Sequence, residues 1–218
     1  MDRRLKGLIR WIRTTAAPAE ELLVPVSGGS DSALCLWLCH QAYPGKTVGV
    51  HAGKKLRSAE WFDFLDCEIL YTQVHGYPNE QEEMRWARFQ RMSFFRNAWL
   101  VGSRNRTEDE LGTYSLASRA ATFLPLVGVW KSEVMELCRL GGVPKEITDS
   151  SLRADPDCGR PSEMAEIPFA DVEKFLRRSA FGRQPISGLN QAQTDYLWGI
   201  LRYNAFKKKL PLRGPRLV

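Results

Sequence analysis

Between an apolar run from Leu22 to Val26 and a second that begins at Ala33 lies the hexapeptide Ser27-Gly28-Gly29-Ser30-Asp31-Ser32. Its residue types suit the holding of an anion. Glycines let a backbone approach a ligand closely and adopt positive φ. Successive N–H groups then form a nest, and a helix starting there adds its positive end. The hydroxyls of Ser27, Ser30 and Ser32 add donors. Asp31 is unwelcome beside a phosphate unless a cation bridges the two, so a carboxylate in such a loop points to Mg²⁺. No lysine follows the glycines as in a Walker loop, and the spacing is not GxGxxG. A tight strand-to-helix turn, capped by Asp31 or a serine, fits the same residues. Taken alone, the hexapeptide leaves turn and grip open.

Either use needs a strand ending before Ser27 and a helix starting near Ser30. The stretch ELLVPV reads as a short buried strand, weakened by Pro25, and SALCLWLCHQA as a helix apolar nearly all round and therefore buried. Upstream, Leu5, Leu8, Ile9 and Ile12 share one helical face. Downstream, KTVGVHA, EILYTQV and WLVGS read as strands, and ATFLPLVGVW as a short fifth. SAEWFDFLD and residues 79–98 read as helices, the latter capped by Asn79. KSEVMELCRLGG is a helix stopped by Gly141, Gly142 and Pro144. Residues 149–163 are a polar loop, and FADVEKFLRR and QAQTDYLWGILRYNAFKKK are late helices. Strands alternating with helices predict an α/β fold, a parallel twisted sheet of about five strands with helices on both faces. No internal repeat or domain boundary stands out, so residues 1–218 are expected to form one domain.

Composition bounds the partners. The 218 residues carry a formal net charge of +6. That balance suits polyanionic ligands such as nucleotides or RNA, and equally a solvated basic surface. Part of the excess lies in Lys207, Lys208, Lys209, Arg213 and Arg216. The five cysteines are odd in number and form no CxxC pair, which argues for a reducing compartment and against a zinc knuckle. The first residues lack a signal-peptide core, and no segment approaches about 18 uninterrupted apolar residues. A cytoplasmic protein without a membrane partner is expected.

The hexapeptide resembles the SGGxDS loop of the N-type ATP pyrophosphatases, the PP-loop proteins with an adenine nucleotide alpha hydrolase-like fold. In that group the loop holds the pyrophosphate of ATP, which is cleaved between its α and β phosphates to adenylate a substrate. Further stretches are similar to one family of the group, the ammonia-dependent NAD synthetases. LVGSRNRTEDELG is similar to the family's acidic segment at a strand end, and places Glu108 on the acid that joins the loop aspartate in holding Mg²⁺. Two carboxylates at neighbouring strand ends can share one hard cation. LPLVGVWKSEVMELCRLGGVPKEI places Lys131 on a phosphate-contacting lysine. A lysine at a helix start opposes the dipole, and a bound anion explains it better than solvent does. RADPDCGRPSE, residues 153–163, lies over the family's mobile site loop and contains Arg160. AFKKKLPL puts Lys207 on a lysine that reaches the dinucleotide substrate.

The resemblance runs from about residue 5 to 212 and implies ATP and Mg²⁺, a homodimer, and an amide-forming ligase. Asp31, Glu108 and Lys131 would be catalytic, and Ser27 to Ser32 with Lys131 would bind ATP. Arg88, Arg119, Arg160 and Lys207 would face the acceptor, a small carboxylate such as deamido-NAD. The chain leaves no room for an N-terminal glutaminase domain, so free ammonia or a separate glutaminase partner is the expected nitrogen source; nucleic acid is not the expected partner. The departures gather on the acceptor side. Ser118-Arg119 replaces the family's Gly-Asp, reversing a charge, and Arg160 replaces Gln. Two other functions compete. One is a sulfur-transferring PP-loop enzyme, with Cys158 as its one plausible carrier. The other is a nucleotide-binding protein without turnover.

Overall fold

The computed structural model describes residues 1–73, 81–150, 167–179 and 187–210. The chain opens with α1 (Arg3–Thr15), capped by Asp2, whose carboxylate accepts the N–H groups of Arg4 and Leu5. Its face of Leu5, Ile9 and Ile12 is buried, as their spacing predicts. Then follow β1 (Glu21–Pro25), α2 (Ser30–Ala42), β2 (Thr47–Ala52), α3 (Ala59–Phe64), β3 (Ile69–Thr72), α4 (Gln81–Phe95), β4 (Ala98–Leu100) and α5 (Arg106–Leu111). A 3₁₀ turn (Ala117–Ala120) leads to α6 (Lys131–Leu140) and α7 (Lys145–Ser150). The last elements are α8 (Phe169–Ser179), α9 (Gln191–Asn204) and a 3₁₀ segment (Ala205–Lys209).

The sheet has the order β3-β2-β1-β4 and every pairing is parallel. Successive residues of β1 serve opposite faces. Leu22 and Val24 enter a core with α1, α2, α6 and α7, while Leu23 packs with Val48, Val50, Leu100 and Phe89 of α4. Helices thus cover both faces, as a parallel sheet requires. A third, smaller cluster joins Leu111 of α5, Trp130, Ile167, and Val172, Phe175 and Leu176 of α8 to Leu197 of α9.

Pro25 sits in a central strand because its missing donor would have served no one. Leu22 and Val26 donate toward the β2 side, whereas Leu23 accepts from Val101 on the β4 side. Pro25 therefore faces the β4 side, where pairing ends at Leu23 with Leu100. The described sheet has four strands; the expected fifth is reduced to one parallel bridge, Val101 with Phe123. Pro25 survives at a strand end, but Pro125, two residues past the bridge, lies where a ladder would have to continue. The long helix begins at Gln81 in the described residues, so its expected cap Asn79 lies outside them. No helix of the described residues is long and apolar enough to cross a membrane.

Candidate active site

Strands β2 and β3 extend from β1 to one side and β4 lies on the other. The crevice beyond the carboxyl ends of β1 and β4 is therefore the switch point at which open parallel sheets take ligands. Both loops that resemble family motifs emerge there. After Val26 the chain turns through Gly28, at φ 85°, into α2, whose cap is Gly29. A Cβ on Gly28 would meet the Arg57 Cβ at 3.3 Å, so both backbone angle and space call for glycine. Two serines shape the loop from within. The Ser32 hydroxyl donates to the Gly29 carbonyl at 3.0 Å and accepts the Ser27 N–H at 3.1 Å. The Ser27 hydroxyl accepts from the Gly29 N–H at 3.3 Å. Among the described residues, the Gly29 cap position of α2 has no side-chain hydrogen bond.

Asp31, in the first turn of α2, meets two partners. Its Oδ1 accepts from the Asn105 amide at 2.9 Å, and its Oδ2 accepts from the Lys131 ammonium. Lys131 also donates to the Ser30 hydroxyl at 2.8 Å, and its side chain is 8% exposed. Asn105 is the cap of α5. Its side chain accepts the Glu108 N–H at 3.0 Å while the Glu108 carboxylate accepts the Asn105 N–H at 3.3 Å, a reciprocal capping box. Burial holds the Glu108 carboxyl well above the usual carboxylate range, the Asp31 charge adds to the shift, and Lys131 opposes it. A pair of carboxylates that repel each other is a seat for a divalent cation. Among the described residues no group of three or more His, Cys, Asp or Glu is placed to hold a metal. A cation held by Asp31 and Glu108 would take its other oxygens from water and phosphate, the habit of Mg²⁺. The donor set fits that ion.

The acceptor-side residues are placed differently. Arg88 of α4 donates to the Thr72 hydroxyl at the end of β3, at 3.2 Å. Arg119 is exposed, and its guanidinium donates to the backbone carbonyls of Lys207 and Leu210, both at 3.1 Å. Lys207 returns the contact, its ammonium donating to the carbonyls of Gly112 at 2.8 Å and Tyr114 at 2.7 Å. Arg104 stacks over the Tyr114 ring, 3.6 Å from its centroid. The structure thus brings Asp31, Glu108, Lys131 and Ser30 together, and gathers Arg119 and Lys207 into a separate clasp on the C-terminal segment. Arg160 and Cys158 lie outside the described residues. The remaining cysteines, Cys35, Cys39, Cys67 and Cys138, are buried. Burial pushes the Cys67 thiol up to about 11 and the Cys138 thiol up to about 12, which leaves neither suited to carry sulfur. Asn105 escaped the sequence-based site although its Asn-x-x-Glu spacing is readable as a cap. Glu173, described below, has no such signal.

A crevice at a parallel-sheet switch point, a glycine turn into a helix, and a carboxylate–lysine pair over it define a PP-loop α/β protein. Solved structures agree on that fold. The NMN synthetase from Francisella tularensis aligns with a TM-score of 0.79 over 97% of each chain at 20% identity. The NH3-dependent NAD synthetase from Campylobacter jejuni, in complex with the nitrate ion, aligns at 0.74 over 100% of this chain and 99% of its own at 16% identity. No family profile matches the sequence. Curated relatives do: the NH(3)-dependent NAD(+) synthetase of Carboxydothermus hydrogenoformans is 25% identical over 244 residues, 96% of each chain. That of Methanosarcina acetivorans is 27% identical over 242 residues, 94% of each. Within the PP-loop class, the chain is similar over nearly its whole length to NH(3)-dependent NAD(+) synthetases, at about 25% identity.

Proposed function

We propose that this chain is an ATP-dependent, amide-forming ligase of the NAD synthetase type, acting on a nicotinate-bearing acid. The observation that carries the reading is the meeting of Asp31, Glu108 and Lys131 at the loop that opens α2. An acceptor carboxylate oxygen attacks the α-phosphorus of ATP, the bond to the bridging β-phosphate oxygen breaks, and pyrophosphate leaves. Ammonia then attacks the acyl carbon, and AMP and a proton are released. The backbone amides of the glycine turn and of the start of α2 bind the pyrophosphate. Lys131 exchanges Asp31 for a phosphate oxygen as ATP enters. Asp31 and Glu108 would hold Mg²⁺, which would supply positive charge to the phosphate oxygens. Alignment and charge do the rest, so no side-chain nucleophile is needed.

Arg88, Arg160 and Lys207 are assigned to the acceptor side, and Arg119 to the same side through the segment it clasps. The acceptor is deamido-NAD or a related acid, and the likeness to an NMN synthetase puts nicotinate mononucleotide on the same panel. Nitrogen comes from ammonia, free or delivered by a separate glutaminase. The assembly is a homodimer, which light scattering should report at about twice the 24.8 kDa of one chain. The deciding experiment supplies ATP, Mg²⁺, ammonium and each acid to the purified chain. Pyrophosphate and AMP are expected in step with amide for one of them. Tight ATP binding with no pyrophosphate from any acid would instead mark a nucleotide-binding protein without turnover.

A further inference from the structure

Helix α6 begins with only half a cap of its own, the Glu133 carboxylate accepting the Trp130 N–H at 2.9 Å. Trp130 stands at the capping position and has no side-chain acceptor, yet the first amides of a helix need one. They find acceptors from two other helices. The Lys131 N–H donates to the Thr107 hydroxyl of α5 at 3.0 Å. The Ser132 N–H donates to Glu173 of α8 at 2.8 Å, and the Ser132 hydroxyl donates to the same carboxylate at 2.5 Å. The Thr107 hydroxyl closes the network by donating to Glu173 at 3.3 Å. Glu173 is 5% exposed. A carboxylate so buried is costly unless its oxygens are filled, and here both are, at the positive end of a helix. Helix α8 adds the Phe169 ring, 5.8 Å from the Lys131 ammonium.

We infer that Glu173 is a positioning residue for the ATP site, acting through Lys131 and Glu108. Its carboxylate fixes where α6 starts, and so where the Lys131 ammonium meets Ser30 and Asp31. Through Thr107 it also fixes the first turn of α5, which carries Glu108 as the next residue. One buried side chain, remote in sequence from both, sets the separation of the phosphate lysine and the second carboxylate. The functional part rests on the ligase reading; the geometric part does not.

The test separates the two. In the ligand-free protein, acetic anhydride labelling followed by peptide mapping reads the reactivity of Lys131, with the exposed Lys174 as internal reference. Glu173→Ala should speed Lys131 acetylation about tenfold, the loss of roughly one charge-assisted hydrogen bond, and Glu173→Gln should stay near the parent because it keeps the shape and an acceptor. Mg²⁺-ATP affinity should fall about tenfold in Glu173→Ala, recover in Glu173→Gln, and fall clearly less when Glu173→Ala is added to Lys131→Ala, where only the route through Glu108 remains. Unchanged labelling in Glu173→Ala, or losses that add in the double variant, would overturn the inference. If Glu173→Ala does not fold, Ser132→Ala removes one bond of the network alone; about threefold faster labelling is expected, and no change overturns it. Should the parent chain bind no ATP, the ligase reading fails while the labelling still decides the geometry.

Discussion

Asp31 faces two cations that cannot both have it. In this structure its two oxygens are taken by Asn105 and Lys131, so a bridging metal must displace the ammonium toward phosphate. Asp31→Asn keeps the shape and one of the two acceptor oxygens and removes the charge. Pyrophosphate release should fall at least about 100-fold, as expected for several kcal/mol of lost charge stabilisation, with the far-ultraviolet circular dichroism unchanged. Parent-like turnover would remove Asp31 from metal binding. Arg119 is a quieter case. Its two bonds reach backbone carbonyls from an exposed position, so Arg119→Ala should cost the whole fold less than about 1 kcal/mol. Its effect should be local: trypsin should cut after Lys207, Lys208 or Lys209 several times faster, with little change in Tm. An unchanged cleavage rate would show that the clasp does not hold the C-terminal segment.

Helices α5 and α2 display what glycine does at two kinds of junction. Gly112 ends α5 at φ 69°, where an added Cβ would lie 2.5 Å from the Asn204 Cβ of α9. Gly28 opens α2 at φ 85°, with 3.3 Å to the Arg57 Cβ. Both Ala variants pay about 1–2 kcal/mol for the left-handed backbone, but Gly112→Ala adds overpacking of about 1–3 kcal/mol. Gly112→Ala should therefore melt well below Gly28→Ala, which should chiefly lose ATP affinity; the reverse order by calorimetry would refute this account. Legibility in the sequence follows the range of the interaction. The apolar face of α1, the buried α2 and the strand before Ser27 could be read because their patterns are local, and the capping spacing of α5 was equally local. The expected fifth strand is present as the single Val101–Phe123 bridge, and Pro125 lies where its ladder would continue. Glu173 could not be read at all. In FADVEKFLRR it flanks the apolar stripe of Val172, Phe175 and Leu176 like any surface acid, and its partners Ser132 and Thr107 are 41 and 66 residues away.

At the scale of the whole molecule the site is a seam. Asp31 and Ser30 belong to α2, which is packed into the main core, whereas Glu108 and Glu173 stand on α5 and α8, whose apolar side chains form the smaller cluster with Trp130 and Leu197. Across that seam run the bonds of Lys131 to Asp31 and Ser30 and of Asn105 to Asp31. A nucleotide held by the α2 loop on one side and by Glu108 and Lys131 on the other would tie the two clusters together. At 100 times its dissociation constant such a ligand stabilises by about 2.7 kcal/mol, which for a chain of this length raises Tm by roughly 5–11 °C. Mg²⁺ and ATP together should give that shift, and chelation by EDTA should remove most of it. Hydrogen exchange should slow in α5 and α8 as well as in the glycine loop, because protection follows the cooperative unit and not only the contact. A shift of equal size with EDTA present would argue that the carboxylate pair holds no metal. Protection confined to residues 27–32 would argue that the smaller cluster does not share in binding.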